Sequence, residues 1–228
     1  MHVPDGFLDA PTSIATAALA IGAVAAALRG ARRELDDATA PLAGLVATFV
    51  FAAQMVNFPV GAGTSGHLLG GALAAILVGP WTATLCLTVV LAVQSLLFAD
   101  GGVTALGTNV LLMGVVGVWT GWLIFRGLRP LLHRSRATVG AVAGLAAFLS
   151  VPATALAFVG LYAVGGTAPV PLASLVLAMG IWHILIGIGE AFITAFVVGA
   201  VHRTRPDLVH ALRTAERVVP PVEKVTLG

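Results

Sequence analysis

Long apolar segments follow one another along almost the whole of this 228-residue chain. Hydrophobic residues make up 58% of the sequence and charged residues only 10%, whereas a soluble domain carries roughly 25% charged residues. A helix that crosses a membrane needs about 20 predominantly apolar residues. Six segments approach or exceed that length: 12–28, 41–58, 81–99, 106–125, 138–164 and 172–201. The chain is therefore predicted to be an all-α integral membrane protein that forms one compact bundle.

A seventh, shorter apolar segment lies between the second and third of these. Residues 68–78 are apolar but too short for an ordinary span, and Gly79-Pro80 separates them from the segment that follows. The stretch 68–99 is therefore either one long span or a short helix followed by a normal one.

The distribution of basic residues decides between these two topologies, because Lys and Arg are retained in cytoplasmic loops. With two passes in 68–99, all twelve basic residues fall on one side: Arg29, Arg32, Arg33, Arg126, Arg129, Arg134, Arg136, Arg203, Arg205, Arg213, Arg217 and Lys224. The opposite side carries none and consists of 1–11, 59–67, 100–105 and 165–171. We therefore predict seven transmembrane helices, one of them short (68–78). The N-terminus is expected outside and the C-terminus in the cytoplasm, with a transmembrane domain over 1–201 and a cytoplasmic tail over 202–228.

The first two residues offer an unusual set of nitrogen atoms on the predicted outer face. The Met1 amine and the His2 amide nitrogen would close a five-membered chelate ring, and the His2 amide and Nδ1 a six-membered ring. His67 could supply a fourth nitrogen, and planar nitrogen sets suit Ni(II) or Cu(II) better than Zn(II) or Mg(II). The large second residue predicts that Met1 is retained. The alternative is an ordinary disordered terminus.

Two polar segments interrupt the apolar sequence near the same face. In residues 54–71, several glycines accompany three side chains able to hydrogen-bond around a ligand: Asn57, Thr64 and Ser65. Non-helical backbone at membrane depth is tolerated only when it is buried in protein or lines a cavity. In residues 94–114, Asp100 and Asn109 are predicted to support the site rather than to bind a ligand directly. The alternative for 54–71 is a plain surface loop.

His183 and Glu190 lie seven residues apart in the last apolar segment, and hence on one face of a helix. Ionisable side chains inside a membrane are costly and have a partner or a role. The pair predicts either a proton or ion relay, or a structural pair that satisfies itself and neighbouring helices.

Four stretches of this chain resemble one known family of membrane proteins. They are MHVPDGFLDAPTS at the N-terminus, QMVNFPVGAGTSGHLLGG, LLFADGGVTALGTNVLLMG and HILIGIGEAFIT. In this order they are similar to the CbiM/NikM family, the cobalt and nickel substrate-binding (S) components of energy-coupling-factor (ECF) ABC transporters. The resemblance covers residues 1 to about 201. Asp9 stands where the family pattern would lead us to expect a small polar residue.

The resemblance implies that the chain is a transporter subunit in the prokaryotic cell membrane. It would capture Ni(II) or Co(II) outside, using nitrogen atoms of Met1, His2 and His67, and deliver it inward. It would work with a transmembrane coupling protein and two cytoplasmic ATP-binding subunits, which supply the ATP chemistry. The sequence shows no Walker motif, dinucleotide fingerprint or nucleophile elbow, so the chain has no visible means of hydrolysing ATP itself and is expected to be a binding protein rather than an enzyme. No nucleic-acid partner is expected.

The sequence leaves several alternatives open. One is a stand-alone proton-coupled permease that uses His183 and Glu190. A second is an S component for an organic vitamin, with an aromatic-lined pocket, and a third is an assembly protein without a ligand. Ni(II) and Co(II) are not distinguished, and neither is the need for a small accessory membrane protein.

Overall fold

Seven helices account for most of the protein in the computed structural model, which describes residues 1–37, 39–61, 64–134 and 137–213. In these ranges five helices are long and apolar enough to cross a membrane, and a sixth is apolar but shorter. All six follow the six predicted segments. With the short α3, the helices are α1 (Ala10–Glu34), α2 (Thr39–Met55), α3 (Gly71–Val78), α4 (Pro80–Leu97), α5 (Leu106–Leu132), α6 (Ala137–Gly165) and α7 (Leu172–Thr204).

The short helix α3 confirms the prediction of a separate element before the Gly79-Pro80 break. All eight of its residues are buried within the bundle. Gly79 ends it with a φ of +95°, a conformation that side-chain-bearing residues rarely adopt, and Pro80 begins α4. Because α3 is surrounded by protein, its length of eight residues suits it to a half-crossing. The count of seven spans and the orientation of the termini remain predictions.

A two-stranded β-hairpin accompanies the mostly helical bundle and lies in the glycine-rich stretch 54–71. Strand β1 (Phe58–Gly61) pairs antiparallel with β2 (Thr64–Gly66), with Phe58 opposite Gly66 and Pro59 opposite Ser65. Proline and several glycines disfavour a helix here, and pairing with a neighbouring strand satisfies the backbone hydrogen-bonding groups instead. The hairpin carries the chain from the end of α2 to the segment that contains His67.

The unexpected Asp9 has a clear structural role. It is the N-cap of α1, and its Oδ1 accepts a hydrogen bond from Thr12 N at 2.8 Å. Its own backbone N–H donates to the Gly165 carbonyl at the end of α6, at 2.7 Å. A carboxylate at this position also interacts favourably with the helix dipole. Asp9 therefore both starts α1 and attaches it to α6.

Small residues allow α6 and α7 to pack closely. A Cβ built on Gly140 would lie 2.7 Å from the Ala195 carbonyl oxygen, and one built on Gly144 would lie 2.7 Å from that of Ala191. Side chains at these positions would force the helices apart. Glycine and alanine contacts of this kind are typical of helix pairs inside membranes.

At the end of the bundle opposite Asp9, segments that were predicted to lie on the cytoplasmic side, with the basic residues, contact one another. The Glu34 carboxylate accepts hydrogen bonds from Trp81 N and Thr82 N, at 3.2 and 2.7 Å, and so connects the end of α1 to the start of α4. Arg213 Nη1 lies 3.5 Å from Asp36 Oδ2. The predicted tail from residue 202 thus contacts the bundle over its described part, while residues 214–228 lie outside that part.

Replacing Gly79 should destabilise the fold. An alanine would have to adopt φ +95° and place its Cβ 2.4 Å from the Glu34 carboxyl carbon. A strained backbone conformation alone costs about 1–3 kcal/mol. We expect Gly79→Ala to lower the thermal unfolding midpoint in detergent, measured by circular dichroism. Gly22→Ala is the control, since no atom lies within 4 Å of that position; equal loss in both variants would contradict the prediction.

Candidate metal centre

The N-terminus is buried inside the bundle. Met1 is 1% exposed and Val3 is fully buried. Asn109 holds this segment through a pair of hydrogen bonds: Val3 N donates to Oδ1 at 2.8 Å, and Nδ2 donates to the Val3 carbonyl at 3.1 Å. The Val3 carbonyl also accepts from Gly102 N at 3.0 Å. The predicted supporting residue Asn109 therefore fixes the backbone immediately after His2.

The following residues attach the N-terminal segment to two loops. Asp5 Oδ1 accepts hydrogen bonds from Thr104 N at 2.8 Å and from Thr104 Oγ1 at 2.5 Å. Gly102 must lack a side chain, since a Cβ there would lie 2.4 Å from Asp5 N. Further along, Thr167 N donates to the Phe7 carbonyl at 3.1 Å. These contacts leave the first two residues little freedom of position.

The structure brings the Met1 amine into contact with Nε2 of His67, across 66 residues of sequence. His67 is 1% exposed, and its Nδ1 lies 2.8 Å from the Leu68 carbonyl oxygen. Because a carbonyl can only accept, Nδ1 carries the proton and Nε2 carries a lone pair. The lone pair of His67 Nε2 therefore faces the amine. Metal-binding histidines likewise hold one ring nitrogen by a hydrogen bond and leave the lone pair of the other available.

The His2 ring lies beside that of His67, with ring centroids 4.4 Å apart and an angle of 28° between the planes. Its Nε2 is 3.2 Å from Gln94 Oε1, and its Nδ1 is 3.1 Å from Asp100 Oδ1. Both neighbours are acceptors, so they favour opposite tautomers of a neutral ring. Donation to Gln94 leaves Nδ1 unprotonated, which is the form that the predicted chelate requires.

Burial favours the neutral forms of these nitrogen atoms. It lowers the pKa of the Met1 amine well below its usual value, although the negative charge of Asp100 acts in the opposite direction. Burial also lowers the pKa of His67 well below its usual value, and the nearby charges of the N-terminus and of His2 lower it further. The pKa of His2 is lowered by burial as well, against hydrogen bonding to Asp100. Neutral nitrogen is the form that binds metal.

Asp100 provides a carboxylate next to His2. Burial would raise its pKa, but interaction with His2 and a hydrogen bond from Asn57 together lower it. Asn57 is exposed and donates from Nδ2 to Asp100 Oδ2 at 3.0 Å. Of the other predicted supporting residues, Ser65 lies in β2 opposite Pro59, and the side chain of Thr64 lies outside the described part of the structure.

A metal site at this position would have to use backbone and terminal nitrogen atoms. Among the described residues, no three His, Cys, Asp or Glu side chains form a group that could hold a metal ion. The imidazoles of His2 and His67 and the Met1 amine lie close together. Along the chain, the His2 amide nitrogen lies between the Met1 amine and the His2 ring. A mixed donor set of this kind is what the sequence predicted.

The segment after His67 is held by two side chains whose role the sequence did not reveal. Gln54 Nε2 donates to the Leu69 carbonyl at 2.8 Å, and Gln54 is fully buried. Glu190 accepts from Leu69 N at 2.8 Å. Of the two alternatives for His183 and Glu190, mutual pairing is not seen among the described contacts. His183 Nδ1 instead donates to the Met179 carbonyl at 2.9 Å.

A bundle with five helices long and apolar enough to cross a membrane, in the described part of the chain, defines a multi-pass membrane protein. The family model described as the cobalt uptake substrate-specific transmembrane region, CbiM, matches residues 2–208. The chain belongs to this family.

Related proteins with named transport functions support the same assignment. The chain is 38% identical over 218 residues to a putative fused nickel transport protein NikMN of Archaeoglobus fulgidus, covering 92% of this chain and 68% of that protein. It is 39% identical over 218 residues to the cobalt transport protein CbiM of Geobacter sulfurreducens, covering 92% and 61%. The crystal structure of a truncated transition metal transporter superposes with a TM-score of 0.82 at 30% identity, covering 90% of this chain and 99% of that one.

Loss of the Asn109 side chain should release the N-terminal segment. Asn109→Ala removes both hydrogen bonds to Val3, each with a net contribution of about 0.5–1.5 kcal/mol. We expect amide hydrogen exchange in residues 1–5 to accelerate about tenfold or more, measured by mass spectrometry. Thr48→Ala is the control, because the Thr48 hydroxyl donates to the Gly44 carbonyl within α2. Unchanged exchange in Asn109→Ala would show that Asn109 does not hold the terminus.

Proposed function

We propose that this protein is the substrate-binding component of a nickel or cobalt importer, and that it binds the ion through its own N-terminus. The ligands would be the Met1 amine, the His2 amide nitrogen and Nδ1, and His67 Nε2. The observation that carries the proposal is the buried contact between the Met1 amine and His67 Nε2. Burying a terminal amine costs free energy unless the group is hydrogen-bonded or coordinates a metal, and both are open to an amine in contact with an unprotonated imidazole nitrogen.

The surroundings suit a divalent cation. Hydrogen bonds orient the donors beforehand: His67 through Leu68, His2 through Gln94, and the backbone through Asn109. The Asp100 carboxylate lies at 3.1 Å from the His2 ring and would offset part of the charge of the ion. Deprotonation of the His2 amide on binding would release a proton. A planar arrangement of four nitrogens favours Ni(II) over ions that prefer oxygen ligands.

Import would require partners that supply energy, since the sequence contains no ATP-binding motif. We propose a transmembrane coupling protein and two cytoplasmic ATP-binding subunits, as in ECF transporters. Helix α1 offers a surface for such a protein, because only 17% of its most apolar stretch is buried in the bundle. An apolar groove of about 470 Å³ runs along it, lined in part by Ala17, Ile21 and Val24.

A free Met1 amine should be essential for metal binding. We expect isothermal titration of the purified chain with Ni(II) or Co(II) to show tight 1:1 binding, and addition of Gly-Ser before Met1 to abolish it. His67→Ala should weaken binding by more than the roughly 10–100-fold expected for loss of an outer partner. His202→Ala is the matched control, since His202 lies in the last turn of α7. Equal affinity with and without the extension would remove the amine from the site.

Transport should depend on ATP-binding partners. We expect proteoliposomes that contain the chain, a coupling protein and ATP-binding subunits to accumulate ⁶³Ni. Accumulation should require ATP on the side of the membrane where the ATP-binding subunits lie. The chain alone should show no uptake driven by a proton gradient. Proton-driven uptake by the chain alone, lost in Glu190→Gln, would instead favour the stand-alone permease that the sequence left open.

A further inference from the structure

Glu190 binds the backbone of the segment that carries His67. Its Oε2 accepts a hydrogen bond from Leu69 N at 2.8 Å and its Oε1 accepts one from Gly70 N at 2.9 Å. Glu190 is 2% exposed and comes from the middle of α7, 121 residues along the chain from Leu69. Since both oxygen atoms face N–H donors, the ionised carboxylate is the form that fits this arrangement.

The two peptide units whose N–H groups donate to Glu190 also have carbonyl groups that accept hydrogen bonds. Leu68 C=O and Leu69 N–H belong to one peptide unit, and its carbonyl accepts from His67 Nδ1 at 2.8 Å. Leu69 C=O and Gly70 N–H belong to the next, and its carbonyl accepts from Gln54 Nε2 at 2.8 Å. One peptide unit therefore connects the His67 imidazole to the Glu190 carboxylate through two hydrogen bonds.

Resting on the proposed function, we infer that Glu190 is a positioning residue for the metal ligand His67, acting through the intervening peptide unit. In many metal sites a carboxylate contacts the ligating histidine directly, fixes its tautomer and increases its basicity. Here the peptide unit is inserted between the two groups. The carboxylate polarises the peptide unit by accepting a hydrogen bond from Leu69 N–H. The Leu68 carbonyl thereby becomes a stronger acceptor, which strengthens its hydrogen bond from His67 Nδ1.

Two further consequences follow from this connection. The orientation of the peptide unit determines the direction of Nε2, so displacement of Glu190 would turn the donor lone pair away from the Met1 amine. The carboxylate also places a negative charge in the bundle interior, where its attraction for a divalent ion is screened less than in water. Both effects would favour metal binding without any contact between Glu190 and the metal.

The chain provides a closely matched control in Glu34. It is also a buried carboxylate, 8% exposed, that accepts from two consecutive backbone N–H groups, those of Trp81 and Thr82. It lies at the opposite end of α1 from the N-terminal segment, and the 25 residues of α1 extend roughly 37 Å. Neutralising Glu34 should affect folding in a similar way but leave the metal centre unchanged.

The test compares Glu190→Gln with Glu34→Gln in the full chain. A glutamine at 190 keeps the shape but directs an NH₂ group at a backbone N–H. We expect Glu190→Gln to weaken Ni(II) binding about 10–100-fold by calorimetry and to shift the Ni(II) ligand-field absorption band. Glu34→Gln should retain the affinity and the band of the parent, whatever its thermal stability. Parental affinity and band in Glu190→Gln would overturn the inference.

A measurement on the unaltered chain covers the case in which Glu190→Gln does not fold. A planar four-nitrogen Ni(II) site is diamagnetic, so the Leu69 amide proton can be followed by NMR in ¹⁵N-leucine-labelled protein. We expect it to move downfield when Ni(II) binds, because metal bound at His67 Nε2 strengthens both hydrogen bonds of the connection. The amide of Leu73, in buried α3, is the reference. A stationary Leu69 signal in metal-bound protein would contradict the inference.

Failure of the inference can be distinguished from failure of the proposed function. If the Gly-Ser extension leaves Ni(II) binding intact, the N-terminal site itself is wrong. If the extension abolishes binding while Glu190→Gln behaves like the parent, the site stands and only the role of Glu190 is refuted.

Discussion

Satisfying a few backbone groups inside an apolar bundle is the constraint on which this structure depends. Between β2 and α3 the chain is neither strand nor helix, and Leu68, Leu69 and Gly70 lie in this connection. In the described structure, the side chains of Gln54 and Glu190 pair with the backbone groups of this segment. Because unpaired groups at this depth would cost several kcal/mol each, the two side chains make a non-helical segment possible there. The segment in turn allows His67 to lie in the interior.

The N-terminal segment is also irregular and buried, and its backbone groups are likewise hydrogen-bonded. Its carbonyl and N–H groups pair with Asn109, Gly102 and Thr167 rather than with a regular sheet. The Met1 amine of this segment contacts Nε2 of His67. A buried site with two imidazoles and an amine thus arises from two irregular segments that are each held by helices. The rigid part of the protein is in the supporting helices, and the donors are on short connections.

Much of this arrangement could be predicted from the sequence. Apolar length and the Gly79-Pro80 break gave the helices, because membrane helices are governed by local composition. The unusual chemistry of an N-terminal amine next to His2 pointed to the candidate donors, which the structure brings near His67. The pairing of Glu190 was not predictable, because its partners are backbone atoms 121 residues away. Backbone partners leave no signature in side-chain identity, and the same holds for the bond from Gln54 to Leu69.

The position of Glu190 on α7 has a consequence for the order in which the protein matures. A chain that enters the membrane from its N-terminus has Met1, His67 and α3 in place before α7 has been synthesised. Until α7 is inserted, Leu69 N and Gly70 N lack their acceptor, and an eight-residue α3 is too short to be stable as a separate span. Under the proposed function, the candidate metal centre would therefore be completed only when the last helix is in place.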